Sequence, residues 1–294
     1  MTRRIECVPN FSEGRRPEII EPIVATVRDV PGVKLLDAAS DADHNRTVVT
    51  LVGEPKALCA ALLDFVREAK ERIDLRNHTG QHPRMGAVDV IPFVPLENIS
   101  MDECVHISRR FAKTLYETLG IPSFLYEQSA TAPHRKNLAD LRKGGFEGMA
   151  EKIRRPDFRP DFGTELHESF GIVAIGARPF LVAFNVNLDS DDLALARRIA
   201  HTVREKDGGL PAVKAMGVAL DAGTVQVSMN LTDTARTSVF QAWLAVKTEA
   251  EKAGVSVARS EIIGLIPPEA VADSFSQALQ LEGFSLSQVL SAEG

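Results

Sequence analysis

Apolar residues recur in this chain with two periods, and the switches between them outline its elements. "ECVPNF" reads as a first strand; a polar turn then leads to Pro17, a residue suited to the first turn of a helix. Ile19, Ile20, Ile23, Val24 and Val27 form a helical stripe that Pro31-Gly32 stops. "KLLDAA" and "RTVVTLV" read as strands joined by the polar loop "SDADHN". A second helix after Glu54-Pro55 carries Leu58, Leu62, Phe65, Ala69 and Ile73 on one face. "AVDVIPFVP" is a further strand, and its prolines imply an edge or a strand end. The order is β-α-β-β-α-β.

The same order returns after Arg178. "FLVAFNVNL" is a strand, and Ser190 is suited to cap a helix with Leu193, Ala196 and Ala200 on its apolar face. "VKAMGVAL" and "TVQVSMNL" flank Asp221-Ala222-Gly223, a hairpin signal. A helix with Val239, Trp243 and Val246 runs to Gly254, and "VSVARSEIIGLIP" closes the set. Between the halves, Ser100 and Glu103 form a capping box, Val105, Phe111 and Leu115 line a face, Gly120 ends the helix and "SFLYEQS" is extended. These patterns predict an α+β protein, an α/β sandwich of two ferredoxin-like βαββαβ subdomains with mainly antiparallel sheets. The expected division is 1–178 and 179–294, with a small-molecule cleft between the two. In the last stretch, Val271, Phe275, Ala278 and Leu279 are spaced as a helix, suited to a surface cover or a dimer contact.

Composition narrows the class. The chain has 294 residues, 44% of them hydrophobic and 25% charged, in the range of a globular protein with ample core. No apolar run approaches the ~18–20 residues of a membrane span, and "MTRRIECVPNFSEG" has no apolar leader, so no membrane partner and a cytoplasmic location are expected. Cys7, Cys59 and Cys104 are odd in number and lack CxxC spacing, which argues for small buried thiols rather than disulfides or a zinc site. A net charge of −6 and the lack of any nucleic-acid motif argue against a nucleic-acid partner. From His134 to Pro160, however, eight Arg or Lys face four Asp or Glu. That stretch is either a solvated face or a local attraction for a small polyanion.

Several residues have chemistry to offer. His78 and His82 in "RNHTGQHPRMGA" are four apart, as in zinc-binding helices, but Gly80 and Pro83 oppose a helix there and the intervening Thr-Gly-Gln supplies no glutamate base. No metal site is expected. His82, between Gly80 and Pro83-Arg84 at a strand entrance, suits proton transfer; the plain alternative is an exposed loop histidine. "LLDAASDADHNRTVV" places Asp37, Asp41, Asp43, His44, Asn45 and Arg46 at a strand junction, where most of them serve equally as a polar turn. Arg46, Arg84 and Arg178 lie at strand margins, where a guanidinium can clamp a carboxylate. Asn10, Asn185 and Asn187 sit in otherwise apolar strands and need partners, in the backbone or in a ligand. "PDFGTELHESFG" is a loop with glycines at both ends, open to close approach by a flat ligand or simply a linker.

"ECVPNFSEG", "NRTVVTLVG", "HPRMGAVDVIPFVP", "MDECV", "PDFG" and "GARPFLVAFNVNL", in this order, resemble the formiminotransferase family over about Ile5 to Pro267. The resemblance covers the transferase half of the bifunctional formiminotransferase–cyclodeaminases and implies no cyclodeaminase domain. It implies transfer of a formimino group from N-formiminoglutamate to tetrahydrofolate as co-substrate, in histidine degradation. It also implies two α/β subdomains with the folate site between them, and a homodimer.

The family's catalytic histidine falls on His82. Its folate-contacting loop falls on Gly163, Thr164, Glu165, Leu166, His167, Glu168, Ser169, Phe170, Gly171 and Ile172. Asn10, Arg46, Arg84, Arg178 and Asn187 are the further substrate- or folate-binding candidates. Two positions depart from the pattern. Vertebrate members have a functional aspartate where this chain has Ala39, leaving Asp37, Asp41 or Asp43 as the possible carboxylate partner of His82. Where relatives often read His-Pro, this chain has His167-Glu168. Other donors, such as formiminoglycine or formiminoaspartate, and a non-catalytic folate- or amino-acid-binding protein stand as alternatives.

Overall fold

The computed structural model describes residues 2–80, 83–220 and 223–289, and the chain divides into two compact units, Met1–Pro179 and Phe180–Gly294. The first unit begins β1 (Arg4–Cys7), β2 (Asn10–Phe11), α1 (Pro17–Ala25), β3 (Val33–Asp41), β4 (Arg46–Gly53), α2 (Pro55–Arg72) and β5 (Val88–Glu97). It continues α3 (Met101–Leu119), β6 (Ser123–Glu127), α4 (Leu138–Arg142), α5 (Gly145–Lys152) and β7 (Val173–Ala177). Among the described residues its strands form one mixed sheet: β3 pairs with β4, β4 and β5 flank β1 and β2, and β7 lies between β5 and β6. The β5–β7 and β6–β7 ladders are parallel and the others antiparallel.

Strand alternation sends side chains to two cores. Val88, Ile91, Phe93, Val173 and Ile175 pack with Leu58, Leu62 and Phe65 of α2 and with Phe111 and Leu115 of α3. Each fully buried Leu or Phe there contributes ~1.5–3 kcal/mol. The alternate residues Phe124, Tyr126 and Ala174 pack instead with Leu141 of α4 and Met149 of α5.

The expected helices form for the expected local reasons. Ser100 and Glu103 close both halves of a capping box on α3, and Gly120 ends the helix with φ 69°. Two expectations need correcting. β5 is not an edge: it pairs with β1 and β2 on one side and β7 on the other. It tolerates its prolines because Pro92 lies opposite the Val8-Pro9 interruption between β1 and β2, and Pro95 adjoins a register shift at Arg4/Ile5. Nor is the basic stretch merely a solvated face. Arg135 pairs with Asp161 and Arg142 with Asp89, all four side chains largely buried, while the Lys152 amine donates to the carbonyl oxygens of Asp140, Leu141 and Lys143.

The second unit runs β8 (Val182–Leu188), α6 (Leu193–Val203), β9 (Val213–Ala219), β10 (Val225–Leu231), α7 (Val239–Lys252), β11 (Val257–Ile263) and α8 (Pro268–Leu279). Its antiparallel sheet has the order β11-β8-β10-β9. Val182, Phe184, Val186 and Leu188 alternate onto the helix side, where they meet Leu195 and Ile199 of α6 and Val246 of α7. Asp192, rather than Ser190, caps α6, its Oδ1 accepting from the Leu195 N–H; the Ser190 hydroxyl instead accepts from the Asp192 N–H. Gly223 has φ 71° at the hairpin, while Asp221 and Ala222 lie outside the described residues. On α8 the apolar stripe faces outward: Val271, Phe275 and Leu279 are exposed while Ala270 and Ala272 are buried. No helix among the described residues is long and apolar enough to cross a membrane.

Candidate functional site

The segment that ends in "HPRMG" is held by three neighbours in the first unit. Gln81 and His82 lie outside the described residues, and the residues up to Gly80 and from Pro83 onward make the contacts below. The buried His78 ring has a contact at each nitrogen: Nδ1 lies 3.0 Å from Arg84 Nε and Nε2 lies 3.0 Å from the Asn45 carbonyl oxygen. An arginine Nε can only donate, so Nδ1 accepts and the ring proton sits on Nε2, which donates to Asn45. Burial, seconded by the Arg84 charge and opposed by the Asn45 bond, lowers the His78 pKa and keeps the ring neutral.

Arg84 also donates from Nη2 to the His78 carbonyl oxygen at 2.9 Å and grips Glu147 of α5 through Nη1 and Nη2 at 3.0 and 2.7 Å. Four of its five N–H donors are thus used inside the unit. Arg84, which the sequence offered as a clamp for a substrate carboxylate, thus also holds the segment in place.

Immediately downstream, the Met85 N–H donates to Oδ1 of the buried Asp89 at 2.7 Å, and Asp89 Oδ2 accepts from Arg142 Nε at 2.7 Å. Gly86 pairs with Gly171 in an isolated bridge, and the Ala87 N–H donates to the Phe170 carbonyl oxygen at 2.7 Å. The glycines are required by space. A Cβ on Gly80 would lie 2.6 Å from the His44 carbonyl oxygen, and one on Gly171, already at φ 82°, would lie 2.2 Å from that of Met85.

The second neighbour is the β3–β4 turn. Asn45, at φ 49°, accepts from the Gly14 N–H at 2.9 Å and donates to the Thr79 carbonyl oxygen at 2.7 Å. Asp41 accepts from the His44 N–H at 2.9 Å and contacts His44 Nδ1 at 2.7 Å. Burial would raise its pKa, but the His44 bonds outweigh that and hold it at about 2. Asp37 lies opposite Thr50, whose buried hydroxyl has no partner among the described residues, and Ala39 lies between Asp37 and Asp41 along β3. Asp43 is in the turn, and Arg46 opens β4 opposite Asp41. Buried Glu13, absent from the sequence candidates, accepts from the backbone N–H groups of Arg15 and Arg16 and from the Arg16 side chain. Burial raises its pKa, but those bonds prevail and it is lowered overall.

The third neighbour is the glycine-bounded loop. Asp161, just before it, is anchored by Arg135 and by the Leu125 N–H. Gly163 has φ 86°, Thr164 and Glu165 are exposed, and Leu166 is half-buried. His167 pairs with Gly171 through two backbone bonds, and its Nδ1 accepts from the Phe170 N–H. Glu168 is exposed but ion-paired with Arg76, which also binds Asp74, so the acid that departs from the family pattern is partly neutralised within the protein. The Ser169 carbonyl oxygen accepts from the Leu75 N–H. Phe170 and Ile172 are fully buried in the core, so the loop offers a ligand its exposed members and its backbone.

Of the remaining candidates, Asn10 donates to the Val8 carbonyl oxygen and Arg178 to that of Pro179. In the second unit, Asn185 and Asn187 are buried on the side of β8 away from the helices. Among the described residues there is no group of three His, Cys, Asp or Glu side chains placed to hold a metal ion. Cys7 and Cys104 are buried and Cys59, expected to be buried, is half-exposed; all three are free thiols. Sequence reasoning missed Asp89, Glu147 and Glu13. A lone acid within the apolar run "AVDVIPFVP" was the available signal for the first, since a carboxylate there demands a partner.

Comparison with known proteins covers nearly the whole chain. Residues 4–178 match the formiminotransferase domain, N-terminal subdomain, and residues 183–286 match the formiminotransferase domain. A glutamate formimidoyltransferase of Streptococcus pyogenes serotype M1 is 48% identical over 97% of this chain and 96% of its own length. One from Thermoplasma acidophilum is 42% identical over 97% of this chain and 95% of its own. The formimidoyltransferase-cyclodeaminase of Rattus norvegicus is 39% identical over 93% of this chain but only 52% of its own length, so the chain spans about half of that relative. The chain belongs to the formiminotransferase family.

Proposed function

We propose that the protein transfers the formimino group of N-formimino-L-glutamate to tetrahydrofolate, giving 5-formiminotetrahydrofolate and L-glutamate, with His82 carrying the proton. The observation that carries this reading is the near-complete match to a glutamate formimidoyltransferase in a chain that retains "HPRMG". The bonds of Arg84, Met85 and Gly86, just downstream of His82, support the reading by holding the rest of that string in place.

N5 of tetrahydrofolate attacks the amidine carbon to form a tetrahedral intermediate. His82 accepts the N5 proton and returns it to the glutamate nitrogen as the C–N bond to that nitrogen breaks. One group doing both is typically worth ~10²–10⁴-fold in rate. The exposed residues of the 163–172 loop, Thr164, Glu165 and Glu168, and the flanking backbone are the candidates for folate contact, with Arg46 and Arg178 for the substrate carboxylates. A carboxylate among Asp37, Asp41 and Asp43 is the candidate to stabilise the cationic amidine; Asp41 already serves His44. A cytoplasmic homodimer belongs to the same reading, and light scattering of the purified protein tests its stoichiometry.

The experiment is to incubate the protein with tetrahydrofolate and, in turn, formiminoglutamate, formiminoglycine and formiminoaspartate, following 5-formiminotetrahydrofolate. Turnover is expected with formiminoglutamate. It should fall at least ~100-fold in His82→Ala while folate binding persists. Turnover with another donor alone would reassign the substrate. Folate binding without turnover for any donor would leave a binding protein.

A further inference from the structure

The β3–β4 turn carries a second histidine whose ring is prepared for proton transfer. His44 is 5% exposed, and Asp41 holds it twice: Oδ1 accepts from the His44 N–H at 2.9 Å, and Oδ2 lies 2.7 Å from Nδ1. Against the pull of burial, the His44 bonds keep the Asp41 pKa at about 2, so its carboxylate can only accept. Nδ1 therefore carries the ring proton, and the basic lone pair of the neutral imidazole is on Nε2. Nε2 makes no hydrogen bond among the described residues. A ring nitrogen so enclosed and without a partner is unusual. A carboxylate on the opposite nitrogen both orients an imidazole and stabilises its cation when Nε2 takes a proton.

The turn also touches the segment that leads to His82. A Cβ on Gly80 would lie 2.6 Å from the His44 carbonyl oxygen, and Asn45 donates to the Thr79 carbonyl oxygen. Gly80 is two residues before His82, a reach of at most ~7 Å along a chain. Other charged or titratable groups surround the turn. Arg15 donates to the Ala42 carbonyl oxygen, and Glu13 accepts through its backbone from Thr47 of β4. Arg46 acts on Asp41 from the start of β4, Asp43 is in the turn itself, and His78, bonded to Arg84, contacts the Asn45 carbonyl oxygen. Asp41 contacts the His44 ring directly.

We infer that His44, oriented by Asp41, is a second proton donor of the transfer. This rests on the reading proposed above, in which His82 moves one proton from N5 to the glutamate nitrogen. When the C–N bond breaks, its electron pair stays on that nitrogen, and glutamate departs as a neutral amine able to add back to the carbon it has left. The imidazolium of His44 gives its Nε2 proton to that electron pair. The amine becomes an ammonium and can no longer add back, and neutral His44 regains a proton from solvent. The balance closes: the formimino group keeps its single positive charge on moving to N5, and the one proton taken up ends on glutamate. Asp41 is a positioning residue in this step.

The test uses two variants. His44→Asn keeps an amide N–H near the place of Nδ1 for Asp41 and has nothing at Nε2; Asp41→Asn keeps the ring and removes the carboxylate that orients it. After melting curves, transfer between formiminoglutamate and tetrahydrofolate is measured in both directions from about pH 5 to 9. Wild-type forward kcat should decline on the alkaline side, where the donor has lost its proton. The reverse rate should decline on the acid side, where the same ring must be neutral to accept from the ammonium. His44→Asn should lower forward kcat about 100-fold at unchanged KM and remove both limbs. Asp41→Asn should lower kcat less and move both limbs to lower pH. Wild-type kcat in folded His44→Asn, or a lower kcat with both limbs in place, would overturn the inference and make the pair a brace for the turn. Should His44→Asn melt well below wild type, Asp41→Asn decides: displaced limbs support the role and wild-type limbs overturn it. An inactive His82→Ala beside an unchanged His44→Asn would remove the role and keep the transferase reading. A wild type that transfers nothing would sink that reading and the role of His44 with it.

Discussion

Asp89 offers a quantitative test of how the "HPRMG" segment is held. Its carboxylate has one oxygen on the Met85 N–H and the other on Arg142, with 2% of the Asp89 side chain and 16% of the Arg142 side chain exposed. Asp89→Ala strips a partner from a buried cation and from a buried N–H, and such losses cost about 3–5 kcal/mol. Asp89→Asn keeps an oxygen for Met85 while giving up the charge. It should therefore recover the share due to the buried N–H, about 1–3 kcal/mol. Amide exchange read by mass spectrometry reports the site directly. The 83–89 segment should exchange as in wild type in Asp89→Asn and open in Asp89→Ala. Denaturant unfolding should be followed by far-ultraviolet circular dichroism, because the single tryptophan, Trp243, lies in the second unit and is blind to the first. A loss under about 1 kcal/mol in Asp89→Ala, or an Asn variant as unstable and as open as the Ala variant, would refute the account.

Three further outcomes follow from the same geometry. Gly171→Ala, with a Cβ 2.2 Å from the Met85 carbonyl oxygen at φ 82°, should cost about 2–4 kcal/mol. Gly254→Ala, at φ 72° with no atom within 4 Å, should cost about 1; equal melting shifts would mean the contact with Met85 is not tight. The lowered pKa of His78 makes its contribution full above the ordinary histidine value near 6.5 and lost as pH falls through its lower folded value. Stability should therefore decline below about pH 6.5 in wild type and less steeply in His78→Gln; matching slopes would place the titration elsewhere. Asp41, held at about 2, should add a second fall on the order of 1–2 kcal/mol between roughly pH 4 and 2, absent from Asp41→Asn.

Much of the fold was legible because its causes are local. The Ser100–Glu103 box, the α2 stripe from Leu58 to Ile73 and the repeated β-α-β-β-α-β order depend on near neighbours in the chain. What the sequence hid depends on pairing across long separations. Pro92 and Pro95 suggested an edge because nothing local shows that Val8-Pro9 interrupts the strand beside Pro92. Arg135 and Arg142 looked like surface charge until Asp161 and Asp89 were found beside them. For the site, the residue string pointed to the segment around His82, and the structure adds the partners that hold its neighbours. Arg84 turned inward to Glu147 and His78.

The β3–β4 turn has a consequence for re-engineering the chain. Short turns between adjacent strands are where new termini, tags and inserted domains are ordinarily accepted, because little beyond the turn depends on them. Here one asparagine at the turn makes three bonds to two distant parts of the polypeptide: the Gly14 amide, and the adjacent His78 ring and Thr79 carbonyl. A residue added between Asp41 and Arg46 would move all three at once. The length of this connection is thus fixed from outside the hairpin, and a library of circular permutants or insertions should show a gap at 42–45 with the exposed segment 205–208 still open to change.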